Sequence, residues 1–175
     1  IDRELVRGGQ VYFLHNRIET IHSVEKMLKQ LLRRSRNTGV PQTQRYGMSQ
    51  LRIAILHGRM SEQEILRVMQ RFRTREIDIL VATTIIENGL DISNANTLIV
   101  DDAARLGLAQ AHQLRGRIGR GASQAFVYFL YKPRHLSEKA TERLEALQEY
   151  TALGAGHQIA LRDLEIRGAG NILGR

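Results

Sequence analysis

The chain is organised around residues 113–120, whose sequence is Gln113-Leu114-Arg115-Gly116-Arg117-Ile118-Gly119-Arg120. A helix over 109–118 is predicted to place Gln113 and Arg117 on one face, and a turn after Gly119 then aims Arg120 the same way. Two guanidinium groups at one point suit an anion with several oxygens, because each holds phosphate oxygens bidentately and keeps its charge. The alternative is a solvated basic helix end, since cations also stabilise the carboxyl end of a helix.

Composition indicates one ordinary globular domain without disulfides. The 175 residues are 42% hydrophobic and 25% charged, and they include no cysteine, which excludes disulfides and thiolate metal sites. No apolar run approaches the roughly 20 residues of a membrane span and no signal peptide is visible, so we expect a cytoplasmic protein. The net charge of +8 favours a nucleic-acid partner.

Five short apolar runs alternate with helical patterns along the chain. The predicted strands are residues 10–14, 52–56, 77–82, 97–100 and 125–130. Strands that alternate with helices pair in parallel, which predicts an α/β fold of RecA type with helices on both faces of the sheet. Residues 33–50 interrupt this pattern with basic residues and turn formers. We interpret them as a basic flexible loop that either contacts DNA phosphates or is only solvated.

Apolar spacing predicts three amphipathic helices. The first runs from Ile18 and buries a stripe at every third or fourth position, formed by Ile21, Val24, Leu28 and Leu31. The second begins with a capping box of Ser61 and Glu64, and its buried face is predicted at Ile65, Met69 and Phe72. The third begins near Ser137, and its stripe is predicted at Leu136, Ala140, Leu144, Leu147 and Thr151.

Polar residues follow the predicted strands at the edge where open α/β sheets bind ligands. The first strand is followed by His15, Asn16 and Arg17, and the second by His57 and Gly58. Thr83 and Thr84 follow the third strand, where they offer hydroxyls and free backbone N–H groups to a phosphodiester, although helix capping is their ordinary role.

Acidic residues bear on nucleotide binding at two places. Gly89 before Asp91 suits a tight turn that presents a carboxylate to a ribose hydroxyl. Asp101 and Asp102 end the fourth strand, as the acids of a magnesium site do, but such a site needs a phosphate loop and the chain has no Gly-Lys dipeptide. We therefore expect neither a complete ATPase nor a metal site in this chain.

Taken together, these stretches resemble the motifs of superfamily 2 helicases and translocases. Residues 113–120 resemble the sixth motif, Gln-x-x-Gly-Arg-x-Gly-Arg, and residues 83–92 resemble the fifth. Residues 57–60 resemble the His-Gly-x-Met element between the fourth and fifth motifs. The resemblance implies the second of two RecA-like motor domains, at residues 1–134, with ATP and Mg²⁺ held mainly by a first motor domain that this chain lacks.

Site roles follow from this resemblance, residue by residue. It implies that the catalytic arginine fingers, which stabilise charge on the γ-phosphate, are Arg117 and Arg120. It implies that the nucleotide edge is completed by Gln113, Gly116, Gly89 and Asp91. It implies that the DNA strand is tracked by Asn16, Gly58, Thr83 and Thr84.

Residues 154–170 indicate which branch of superfamily 2 the chain resembles. This segment is predicted to be too rich in glycine for a plain helix. It resembles the translocation motif shared by the RecG helicases and the Mfd group of transcription-repair coupling factors. This resemblance implies a truncated helical hairpin and loop at residues 135–175, with Arg167 coupling ATP hydrolysis to movement. Residues 83–87, 153–156 and 163–170 are more similar to the Mfd group.

The resemblance therefore implies a fragment of an ATP-dependent double-stranded DNA translocase that removes stalled RNA polymerase and couples transcription to nucleotide excision repair. RNA polymerase and excision-repair proteins are implied as partners of other domains, and the fragment alone is expected to be inactive. One alternative is a RecG-type branch-migrating helicase. Another is a non-motor nucleic-acid-binding module that clamps phosphates with Gly116 to Gly119, but the five-strand pattern argues against it.

Overall fold

The computed structural model describes residues 1–36, 51–83, 95–119, 124–133, 136–149 and 156–167. Within these ranges, five strands form one sheet in the order β2-β3-β1-β4-β5. The strands are β1 (Gln10–Leu14), β2 (Ile53–Leu56), β3 (Ile79–Ala82), β4 (Ala95–Val100) and β5 (Phe126–Phe129). Strand β1 pairs in parallel with β3 and β4, and β2 pairs in parallel with β3, as the alternating pattern predicts.

Six α-helices occur in the same part of the chain. They are α1 (Asp2–Val6), α2 (Ile21–Arg36), α3 (Glu62–Arg73), α4 (Leu108–Arg115), α5 (Glu138–Glu149) and α6 (Gly156–Arg167). The chain forms two compact units, one of residues 1–101 and 117–128 and the other of residues 102–116 and 129–175. None of the helices described is long and apolar enough to cross a membrane.

Strands β1 and β3 lie in the interior of the sheet, and every residue of both is buried. Burial on both sides explains why these strands, apart from Gln10, are apolar runs that do not alternate with polar residues. Side chains of α2 join Val11, Phe13, Ile79 and Val81 in one hydrophobic cluster. The apolar stripe of the sequence thus becomes the contact between α2 and the sheet.

The stripe of α2 differs from its prediction at one residue. Ile21, Val24 and Leu28 are buried as expected, but Leu31 is 52% exposed and Leu32 is buried in its place. The helix has 3.6 residues per turn, so Leu32 stays closer than Leu31 to the line through Ile21 and Leu28. The helix also continues to Arg36, so the predicted loop does not begin at residue 33. The remaining residues of that loop, 37–50, lie outside the described ranges.

Helix α3 begins at the predicted capping box. The Ser61 hydroxyl accepts from the backbone N–H of Glu64, and a carboxylate oxygen of Glu64 accepts from the backbone N–H of Ser61 at 2.9 Å. The hydrogen bond from the Ser61 side chain holds the pKa of Glu64 below its ordinary value. Met69 and Phe72 are buried, and Ile65 is half-buried, so the predicted inner face is confirmed.

Helices α5 and α6 pack against each other, and α6 corrects one expectation. Residues 156–167 form a regular helix, although the segment 154–170 was expected to be too rich in glycine. The reason is that its glycines lie at residues 154, 156, 168 and 170, outside the interior of α6. Ile159, Asp163 and Ile166 are buried along one stripe. On α5, Ala140 and Leu147 are buried and Leu144 is half-buried, whereas Thr151 lies outside the described residues.

Candidate functional site

The candidate DNA-binding residues that the structure describes lie at one edge of the sheet. Asn16, Gly58 and Thr83 follow the ends of β1, β2 and β3, whose parallel pairing brings their carboxyl ends together. The sheet ladder continues one residue past these ends, because the N–H of Thr83 donates to Leu56 O at 3.1 Å and that of His15 to Ala82 O at 2.8 Å. This edge is where open α/β sheets bind ligands.

Thr83 is less accessible to a DNA backbone than its position in the sequence indicates. The prediction that it offers a free backbone N–H is wrong, because the ladder hydrogen bond to Leu56 uses that group. The residue is also only 6% exposed, so little of it reaches solvent. Thr84, Gly89 and Asp91 lie outside the described residues, and their roles stay predictions.

The turn after β2 exposes Gly58 and is closed by a hydrogen bond from the N–H of Met60 to His57 O at 3.1 Å. Next to it, the guanidinium of exposed Arg59 lies 3.1 Å from the carboxylate of Glu19, which belongs to the short 3-10 turn Ile18–Thr20 after β1. An exposed ion pair contributes little to stability, but it links the loops that follow β1 and β2.

The hydrogen bonds between side chains at this edge of the sheet were not predicted from the sequence. The His15 ring lies 2.7 Å from Asp101 Oδ2 through Nδ1 and 2.7 Å from Thr20 Oγ1 through Nε2. Asp101, considered above as half of a magnesium site, instead pairs with a histidine at the end of the neighbouring strand. The sequence showed only that Asp101 and His15 each follow a predicted strand, and not that these two strands are neighbours.

Helix α4 is shorter than predicted and ends at Arg115. Gly116 caps it and donates its N–H to His112 O at 3.0 Å, and residues 116–118 form a turn. Arg117 therefore lies beyond the helix, so the expectation that it faces the same way as Gln113 through four-residue helical spacing is wrong. Gln113 is exposed, Arg117 is half-buried, and Arg120 lies outside the described residues.

The charge at this end of α4 comes from arginine and not from histidine. Burial lowers the pKa of His112, and the positive charge of Arg115 lowers it further. A lowered pKa keeps the imidazole neutral at pH 7, whereas arginine stays charged in any protein environment. Arg115 and Arg117 thus supply the positive charge of the part of residues 113–120 that the structure describes.

The two glycines of this stretch differ in whether the fold requires glycine at their positions. Gly119 has φ +73°, and a Cβ added there would lie 2.2 Å from Ala125 Cβ, so the fold itself requires glycine. Gly116 is exposed with φ −69°, and an added Cβ would meet only ordinary contacts, the nearest at 3.5 Å. Nothing among the described residues therefore requires glycine at position 116.

Matched alanine substitutions test this difference. Gly119→Ala should destabilise the chain by about 2–4 kcal/mol, because a left-handed backbone and a steric clash act together. Gly116→Ala should change the free energy of unfolding by at most about 0.5 kcal/mol, as at other exposed positions. Equilibrium urea unfolding of the two variants measures both values, and equal losses would contradict the assignment. A functional defect in a stable Gly116→Ala variant would come from a group outside the described residues that approaches Gly116.

The described residues contain no group of three or more His, Asp or Glu side chains that could hold a metal ion. The candidate phosphate-binding groups are of two kinds, the arginines and backbone turns within residues 113–119 and the polar residues at the strand ends. Such groups bind phosphate oxygens directly.

Comparison with known proteins identifies relatives over the whole chain. The family model for the helicase conserved C-terminal domain matches residues 1–122. A transcription-repair-coupling factor from Staphylococcus haemolyticus (strain JCSC1435) is 46% identical over 176 residues, and one from Staphylococcus aureus (strain USA300) is 45% identical over the same length. Each match covers 100% of this chain but only 14% of the relative, so the chain spans a small part of the length of these proteins.

Solved structures give the same fold. RecG bound to a three-way DNA junction aligns with a TM-score of 0.72 and 34% identity, over 96% of this chain and 20% of that one. The C-terminal domain of the DEAD-box protein Dbp5 aligns with a TM-score of 0.58 and 20% identity, over 81% of this chain and 69% of that one, which is a likeness of fold alone. The predicted RecA-like fold class is confirmed.

Proposed function

The chain belongs to the helicase conserved C-terminal domain family, and from this membership we propose that it is the second motor domain of an ATP-dependent double-stranded DNA translocase of the transcription-repair coupling type. The observation that carries this proposal is the identity of 45–46% to two transcription-repair-coupling factors, which extends over the whole chain. The resemblance to this group of superfamily 2 proteins is thus confirmed, and it is better supported than RecG, whose structure is 34% identical.

We assign residues 1–134 to the motor domain and residues 135–175 to the translocation motif. The match to the helicase family ends at residue 122, before α5 begins at Glu138. Helices α5 and α6 pack against each other and against α4, which carries Gln113. The hairpin is therefore in contact with the helix that leads into the arginine-rich turn.

In this proposal, ATP and Mg²⁺ are held mainly by a first motor domain, and this chain completes the nucleotide site. The charge that develops on the γ-phosphate is stabilised by Arg117 and Arg120. The nucleotide edge is formed by Gln113, Gly116, Gly89 and Asp91. The exposed Gly116, which the fold does not require, is consistent with close approach of the nucleotide or of the first domain.

The carboxyl edge of the sheet is proposed as the DNA-binding surface. Its contacts with one strand are assigned to Asn16, Gly58, Thr83 and Thr84, and the net charge of +8 favours the approach of DNA. RecG, the structural relative, was solved with a three-way DNA junction. We propose RNA polymerase and excision-repair proteins as partners of other domains, and a cytoplasmic location like that expected for bacterial repair factors.

The proposal predicts that ATP hydrolysis requires the full-length protein. The full-length protein should hydrolyse ATP faster when duplex DNA is present and should displace a stalled RNA polymerase, whereas the 175-residue chain should hydrolyse none. Arginine fingers without a phosphate loop and a magnesium site have no bound nucleotide to act on. Phosphate release assays and polymerase displacement on a roadblocked template measure these activities.

Three other outcomes would contradict the proposal in distinct ways. Steady ATP hydrolysis by the 175-residue chain would overturn the assignment of the arginines. Remodelling of forked DNA without polymerase displacement would favour the RecG-type alternative, which the similarity to the RecG structure keeps as second candidate. A full-length protein that binds DNA but never hydrolyses ATP would favour a non-motor nucleic-acid-binding module.

A further inference from the structure

A buried histidine bridges two polar groups at the carboxyl edge of the sheet. The side chain of His15 is 10% exposed, and both ring nitrogens lie 2.7 Å from an oxygen, Nδ1 from Asp101 Oδ2 and Nε2 from Thr20 Oγ1. Distances of this length are good hydrogen bonds, and a buried imidazole with both nitrogens satisfied is held in one orientation. His15, Thr20 and Asp101 all belong to the compact unit that contains the sheet.

The direction of the hydrogen bonds follows from the chemistry of the partners. An ionised carboxylate can only accept, so Nδ1 of His15 carries the proton and donates it to Asp101. In the neutral ring Nε2 is then an acceptor, and the Thr20 hydroxyl donates to it. The other acceptor near this hydroxyl, Arg17 O, is 3.5 Å away, which is too long to compete.

This chain of hydrogen bonds closes the loop of residues 16–19. The loop is held at its start by the ladder hydrogen bond of His15 to Ala82 O, and at its end by Thr20, whose N–H also donates to Arg17 O at 3.3 Å. Asn16 and Arg17 lie between these two points and are exposed. Asp101 anchors these side-chain hydrogen bonds to β4, and it donates its own backbone N–H to Leu14 O at 2.9 Å.

We propose that His15 and Thr20 are positioning residues that hold the 16–19 loop, and Asn16 in particular, in the conformation that contacts the DNA backbone. This inference rests on the proposed function and adds to it residues that do not touch DNA. A contact residue on a loop binds well only if its geometry is fixed in advance, because ordering the loop on binding costs conformational entropy. The Asp101–His15–Thr20 chain provides that order in the free protein.

Thr20 offers a matched pair of substitutions for the test, because its side chain is exposed and both valine and serine fit at this position. In the full-length protein, Thr20→Val removes the hydroxyl and keeps the shape, whereas Thr20→Ser keeps the hydroxyl. Thr20→Val should raise the duplex concentration that gives half-maximal ATP hydrolysis by roughly fivefold, the effect of losing one hydrogen bond. Its turnover at saturating DNA should stay within about twofold of the parent protein, and Thr20→Ser should match the parent in both respects.

Combining Thr20→Val with Asn16→Ala shows whether the hydrogen bonds from Asp101 through His15 to Thr20 act on DNA binding through Asn16. In the Asn16→Ala background, Thr20→Val should have no further effect on the half-saturating DNA concentration, because the contact that it positions is already absent. Full additivity of the two substitutions would overturn the inference, and so would a Thr20→Val protein that matches the parent or loses turnover at saturating DNA. A parent protein whose ATP hydrolysis does not respond to DNA would instead overturn the proposed function.

Discussion

Replacing Arg117 by alanine in the full-length protein should lower ATP turnover by roughly 10³-fold and change ATP binding little. An arginine finger acts on charge that develops in the transition state, so its loss affects turnover and not ground-state binding. Arg117 lies in the turn after α4, beyond the last helical residue, Arg115. A turn that follows a packed helix can present a guanidinium toward a neighbouring domain without carrying it on the helix surface. Single-turnover hydrolysis and nucleotide-binding titrations separate the two effects.

An arginine elsewhere on the same chain provides the control. Arg71 is half exposed on α3 and pairs with Glu76, so Arg71→Ala removes one positive charge without touching residues 113–120. Its turnover should stay within about twofold of the parent, because exposed ion pairs contribute little. Equal turnover for Arg117→Ala and the parent would show that Arg117 is not the arginine finger. Arg117→Lys should also be slow, since lysine keeps the charge but loses the bidentate fork.

Arg167→Ala should leave DNA-stimulated ATP hydrolysis largely intact and abolish displacement of a stalled polymerase. Arg167 is the last residue of α6, and this helix packs against both α5 and α4. We therefore expect a movement of α4, which leads into the arginine-rich turn, to be transmitted to α6 by direct packing, because packed helices move as rigid elements. Loss of a group at the end of this connection should uncouple movement from hydrolysis without stopping hydrolysis.

Arg162 on the same helix is the matched control for this prediction. Its side chain pairs with Glu165 one turn later at 2.9 Å and lies within the helix, so it is part of the surface of α6 and not of its end. Arg162→Ala should retain both hydrolysis and polymerase displacement. An Arg167→Ala protein that loses both activities would show a structural or catalytic role, and one that retains both would show that α6 does not couple them. Parallel assays of phosphate release and roadblock displacement measure the separation.

The local elements of this fold could be predicted from the sequence because their causes are local. The capping box of Ser61 and Glu64 depends on two residues three positions apart, and the structure contains it. Apart from Gln10, the strands β1 and β3 are apolar runs, and both are buried throughout. The arginine-rich stretch suits phosphate because each guanidinium can hold phosphate oxygens bidentately, but a solvated basic helix end has the same sequence pattern, so its role stays a prediction.

Predictions that depended on where an element ends were less accurate. The α2 stripe includes Leu32 and not Leu31, and α4 ends at Arg115. Glycine counting also suggested that residues 156–167 would not form a helix, although the glycines lie outside its interior. Helix ends and the last residue of a buried stripe are decided by packing against neighbours, which contributes more than the intrinsic propensity of each residue.

The sequence by itself determined the alternation of strands and helices and the amphipathic faces, because each of these follows from neighbouring residues. Only the tertiary structure decided that His15 joins Asp101 to Thr20 and that α6 packs on α4. His15 and Asp101 are 86 residues apart, and they meet because β4 lies beside β1 in the sheet. That neighbourhood is set by the packing of the whole sheet, and no local pattern of residues specifies it.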